Sequence, residues 1–175
     1  MNGFAVEGQC WGIAFFQHSF ILGFHSPTPK VEMLSENGQA LKTLKYNSSG
    51  DKLFSAPHYV HVDTTTETVR IIVSDYDMRT VYMLDDKLQL LQVYMPPSPS
   101  TPLGLAAVEG GRVLVGDRAT STLWLLDLTT GRWHALLGGK DGLGCLYIMV
   151  YNQATKQLHV GGWGDDEVKV YTVSE

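Results

Sequence analysis

A short β-rich passage returns four times in this chain, beginning at Gly12, Tyr59, Gly104 and Tyr147, at spacings of 47, 45 and 43 residues. A recurrence in the forties built from short strands constrains the fold more than any other feature. Each copy supplies one small sheet, which can bury its faces only against its neighbours. The first runs align as Gly12-Ile-Ala-Phe-Phe16, Tyr59-Val-His-Val-Asp63, Gly104-Leu-Ala-Ala-Val108 and Tyr147-Ile-Met-Val-Tyr151. A second run ends at Phe24, Asp75, Asp117 and Gly162, and a third begins at Val31, Val81, Leu123 and Val168. The step between them is six residues in three copies and seven in the first. A fourth run follows in the first three copies, entered through Asn37-Gly38, Asp85-Asp86 and Thr130-Gly131, residue types that tolerate the positive φ of tight hairpins. The pattern predicts an all-β propeller of four blades, at about 10–55, 56–100, 101–144 and 145–175, in one domain spanning 1–175. The fourth copy has three runs before Glu175, and Gly3-Phe-Ala-Val6 is a spare strand-like segment placed to complete it.

Composition fits this expectation. Apolar residues make up 44% of the 175 and charged ones 18%, enough for a real core. The prolines fall between the runs, and no window keeps a helical apolar period for three turns. No basic and apolar leader opens the sequence and no 18-residue apolar stretch occurs, so a cytoplasmic chain with no membrane segment is expected. Cys10 and Cys145 are too few for a disulfide framework and lack C-x-x-C spacing. A net charge of −5 argues against broad nucleic-acid binding, whose affinity comes from clustered Lys and Arg.

Pro57-His-Tyr-Val-His-Val-Asp63, Ile71-Ile-Val-Ser-Asp75 and Arg79-Thr-Val-Tyr-Met-Leu84 together resemble the NHL repeat, and Pro102-Leu-Gly-Leu-Ala106 with Val115-Gly-Asp117 is similar to the same unit. Pro27-Thr-Pro-Lys-Val31, Val73-Ser-Asp-Tyr76 and Asp166-Glu-Val-Lys-Val170 are similar to the C-terminal propellers of invertebrate tripartite-motif proteins. The resemblance spans about Cys10 to Thr172. It implies a partial ring, or a fragment of a six-bladed propeller, and a role as the substrate-recognition platform of a ubiquitin ligase. The ligase chemistry of that family resides in a RING domain absent from this chain, so no enzyme activity is expected. The basic position before the third run is Arg79 in the second copy but Ser121 and Asp166 in the third and fourth, so a ring of arginines is not formed.

Propeller ligands bind at loops around the channel mouth, because those loops vary while the blades hold them. The connections between second and third runs therefore supply the candidate binding residues Lys30, Tyr76, Arg79, Arg118 and Trp163, of the aromatic and basic types enriched at binding hot spots. His61 and Asp63 share a strand face, but Ala14 and Phe16, or Ala106 and Val108, replace them in other copies, and no metal or other cofactor is expected. No nucleophile elbow, phosphate loop or H-E-x-x-H occurs, so no catalytic residue is assigned. The expected function is non-catalytic recognition of a protein partner. An RNA partner is the alternative, and a metal-dependent propeller hydrolase or lyase a further one. An open ring would add self-association through its exposed blade faces.

Overall fold

The computed structural model describes residues 3–173 apart from 163 and 165. It is an all-β propeller of four blades, each a meander of antiparallel strands numbered from the channel outward. Blade 1 holds β1 (Gln9–Phe16), β2 (Ser19–Ser26), β3 (Lys30–Ser35) and β4 (Ala40–Leu44). Blade 2 holds β5 (Pro57–Asp63), β6 (Arg70–Asp75), β7 (Thr80–Leu84) and β8 (Leu90–Tyr94). Blade 3 holds β9 (Pro102–Val108), β10 (Arg112–Asp117), β11 (Thr122–Asp127) and β12 (Trp133–Leu137). Blade 4 holds β13 (Leu146–Asn152), β14 (Gln157–Gly162) and β15 (Val168–Thr172).

Strand alternation decides which neighbour each side chain meets. In β6, Ile71 and Val73 join Ile21 and Val31 of blade 1, whereas Ile72 between them joins Leu105, Val113 and Val115 of blade 3. A third cluster joins Ala106, Val108 and Leu114 of blade 3 to Met149, Leu158 and Val160 of blade 4. A strand buried on both faces reads as a continuous apolar run, which is why Ile71-Ile-Val and Val113-Leu-Val show no polar alternation. Close approach between blades depends on glycine at one junction: a Cβ on Gly12 would lie 2.9 Å from both the His58 carbonyl oxygen and the Val60 nitrogen.

The pairing register corrects the alignment of the fourth copy by one residue. Ala14 pairs with Ile21, His61 with Ile72 and Ala106 with Leu114, and the matching pair in blade 4 is Val150 with His159. Ile148, not Tyr147, therefore corresponds to Gly12, Tyr59 and Gly104. Each innermost strand carries an irregularity just before this position, and the extra residue is Trp11 in β1, His58 in β5 and Tyr147 in β13, with Leu103 at the same place in β9. Such a bulge is invisible to an alignment based on apolar runs alone.

The spare N-terminal segment also lies elsewhere than expected. Residues 3–6 form no strand; Phe4 packs edge-on against Phe20 at 5.6 Å, and Val6 joins Leu22, Phe24 and Leu34 on the outer part of blade 1. That face offers apolar contacts to Phe4 and Val6, whereas completing blade 4 would carry the segment around to the far end of the blade series. Strand packing joins blade 1 to 2, 2 to 3 and 3 to 4, and among the described residues no comparable packing joins blade 4 to blade 1. No helix among the described residues is long and apolar enough to cross a membrane.

Candidate functional site at the channel mouth

Two repeat-equivalent positions converge at one end of the channel. The first is the bulge residue of each innermost strand, Trp11, His58, Leu103 and Tyr147. The second is the residue after each second run, His25, Tyr76 and Arg118; its fourth member, Trp163, lies outside the described residues. With Ala56 and Asp77 these residues line a cavity of about 390 Å³.

Buried aspartates hold the second position. Asp117 accepts hydrogen bonds from the backbone N–H groups of Thr101 (2.8 Å) and Ala119 (2.9 Å) and from the hydroxyls of Ser100 and Thr120. Burial alone would raise its pKa, but these donors outweigh it and hold the carboxyl below its usual value. Asp75 makes the same clamp, accepting from Ser55, Ala56 and Met78 at 2.8 to 2.9 Å. Each clamp ties the segment entering a blade to the turn between that blade's second and third strands. The next residue is then fixed through its own backbone, Tyr76 N–H to Ala56 O (2.9 Å) and Arg118 N–H to Thr101 O (3.0 Å).

The walls are aromatic. Trp11 stacks on His25 with ring centroids 4.5 Å apart and planes at 6°, and lies at the same distance from His58. His58 also meets Tyr147 edge-on at 5.5 Å. The Arg118 guanidinium donates to the Tyr76 hydroxyl and lies 5.5 Å from that ring's centroid. Among the described residues, no carboxylate forms an ion pair with Arg118.

His58 is buried, and burial followed by the neighbouring His25 lowers its pKa to about 4. The imidazole is therefore neutral at pH 7. Its Nε2 lies 3.5 Å from the Tyr147 hydroxyl, while among the described residues its Nδ1 meets no partner outside its own residue and the buried Nδ1 of His25 meets none. The His58 Nδ1 is itself buried, so Arg118 is the charged donor that lines the cavity.

Two of the expected binding residues, Tyr76 and Arg118, are thus brought together. Lys30 is not part of the cavity: it pairs with Glu32 at 2.8 Å and lies over the Phe24 ring. Arg79 is exposed in its turn with φ of 54° and does not line the cavity. Sequence reasoning misses Trp11, His25, His58 and Tyr147, although His25 stands at the same repeat position as Tyr76 and Arg118 and is within reach of that register. His61 and Asp63 are engaged structurally, His61 Nε2 accepting from Ala107 N–H (3.1 Å) and Asp63 pairing with Arg70 (2.5 Å) and accepting from Thr65 N–H (2.8 Å).

No family model and no curated protein sequence matches this chain. Solved structures do. The WD40 repeats of RRP9 align with a TM-score of 0.76 at 11% identity, over 97% of this chain and 50% of that one. The computationally designed Ika4 protein aligns at 0.65 and 14% identity, over 97% of this chain and 94% of that one. Streptogramin B lyase aligns at 0.66 and 13% identity, over 94% of this chain and 54% of that one. The chain thus spans about half the length of the two natural proteins. At these identities the likeness shows the propeller fold, with WD40-like neighbours, and nothing of the NHL or tripartite-motif type.

Proposed function

We propose that this chain is a non-catalytic, protein-binding adaptor whose channel mouth holds a peptide segment. The observation that carries the reading is the 390 Å³ cavity walled by Trp11, His25, His58, Tyr76 and Tyr147 with Arg118 at its edge. Rings of this kind supply large contact area at small entropic cost, and an arginine that no carboxylate of the described residues pairs with supplies a directed donor. Because Arg118 supplies a donor there, the favoured segment carries a carbonyl or carboxylate acceptor for it beside an apolar side chain.

RNA is the second reading. A base would stack on the same rings, but retention of a nucleic acid rests on several phosphate contacts. Here Lys30 is occupied by Glu32, Asp77 lines the cavity and the net charge is −5, so protein is favoured. A lyase among the structural neighbours shows that this fold carries chemistry elsewhere, yet fold is not function, and among the described residues no group of three His, Cys, Asp or Glu side chains is placed to hold a metal. The NHL-like runs support kinship with the substrate-recognition propellers of tripartite-motif ligases.

The test is capture of partners from lysate on the wild type and on Tyr76→Ala and Arg118→Ala, with and without nuclease. The expected outcome is a protein partner retained after nuclease and bound about tenfold or more weakly by each variant. Capture abolished by nuclease would move the reading to RNA, and capture unaffected by both substitutions would remove the mouth as the site.

A further inference from the structure

We infer that the free faces of blades 1 and 4 are the two halves of one interface, and that their occupant is a second copy of this chain, two copies closing an eight-bladed ring. Ile13 and Phe15 on β1, with Ile148 and Val150 on β13 and Val168 and Val170 on β15, are between 51% and 66% exposed. Nothing about these side chains suits them to water, and contiguous apolar faces of this kind mark interaction sites.

What covers them is indicated by the molecule's own three junctions. In blades 2 and 3, the second position of the innermost strand, Val60 and Leu105, packs into the cluster shared with the preceding blade. The first position looks the other way: Gly12 faces Val60, and Gly104 faces the Met149 side chain. By the corrected register Ile13 is the second position of blade 1 and Ile148 the first position of blade 4. Placed end to end, Ile148 of one copy meets Ile13 of the other as Gly104 meets Met149. The junction has the character of that between blades 2 and 3, where the larger Tyr59 occupies the first position and packs into the shared cluster.

A chain closed on itself would pack blade 4 against blade 1, and among the described residues no packing comparable to the three junctions joins them. Two half-rings related by a twofold axis close, using the same contact twice and leaving no free face. The N-terminal segment lies on this same face of blade 1, with Phe4 against Phe20 and Val6 beside Cys10 and Leu22, and it leaves Ile13 and Phe15 more than half exposed. The partner's Tyr147 would then stand next to Trp11, as His58 does within one chain, adding a ring to the mouth. This inference rests on the end faces and the blade register, not on the identity of the ligand bound there.

A charge exchange tests it. Ile13→Glu and Ile148→Lys alter exposed positions, and their melting temperatures and circular dichroism establish that each variant is folded. By light scattering at tens of micromolar, the wild type is expected at twice the 19.3 kDa chain mass and each variant alone at the chain mass. Mixing the two variants is expected to restore the doubled mass, because one junction is then wild type and the other sets the introduced carboxylate against the introduced ammonium. A wild-type monomer overturns the inference, as do open-ended oligomers, which would show end-to-end contact without closure. Variants that stay dimeric place the interface elsewhere and overturn it equally.

Discussion

At the scale of single residues, the mouth is organised by which polar groups are left without partners. Asp75 and Asp117 are saturated with donors and serve as clamps, whereas His58 is buried with one nitrogen unmatched. A neutral buried imidazole has a consequence for stability. The His58 pKa is about 4 when folded against an ordinary 6.5, so unfolding takes up a proton between those values. Its contribution is whole above pH 6.5 and is lost as pH falls towards 4, amounting to about 3 kcal/mol at most. His25 and Arg118 face the same ring, and both disfavour its protonated form. Thermal unfolding followed from pH 7 to pH 4 should therefore fall less steeply for His58→Phe than for the wild type. Parallel curves would mean that His58 is not the group that titrates.

At the scale of the element, the second strand of each central blade is the least forgiving part of the chain. Val115 is fully buried and lies in the cluster between blades 2 and 3, with the apolar side chains of Ile72, Val113 and Leu126 in the same cluster. Val115→Asp must bury an unpaired charge or hold a neutral carboxyl without hydrogen-bond partners, costing several kcal/mol, a large part of what a domain of this size has to lose. The variant should be insoluble or unfolded by circular dichroism. An unchanged melting temperature would place Val115 on a solvent face and break the register that also aligns the mouth residues. The glycine at Gly12 belongs to the same scale: it is where one blade's strand lies against the next blade's backbone, which the repeat alone does not explain.

At the scale of the whole molecule, four blades leave two ends. Cys10 and Cys145 report on them, both being free thiols, one at the start of β1 and the other just before β13. Cys145 stands one residue earlier than the counterpart of Cys10, which is Leu146. Within one chain, blades 2 and 3 separate the two thiols. A thiol cross-linker of about 10 Å, the spacing of packed sheets, should therefore fail to loop a single chain and should join two chains where blade 4 of one meets blade 1 of the other. Looped monomer as the main product would show that blades 1 and 4 of one chain are neighbours after all.

Much of this is legible in the sequence alone. The recurrence in the forties, with its constant step from Asp75 to Val81 and from Asp117 to Leu123, determined an all-β chain of four blades, because the strand period and turn residues are local properties that each copy states independently. The same register put Tyr76 and Arg118 at one end of the channel, since equivalent positions in equivalent blades point the same way. What local pattern does not carry was decided in three dimensions. The bulges that turn Trp11, His58 and Tyr147 into the mouth leave no mark in a hydrophobic alignment, because an extra residue shifts pairing without changing composition. The pairing of Lys30 with Glu32 removed a cation that sequence alone counts as available. The place of the N-terminal segment and the open ends followed from which apolar faces lay within reach, a matter of distance between blades that no single repeat contains.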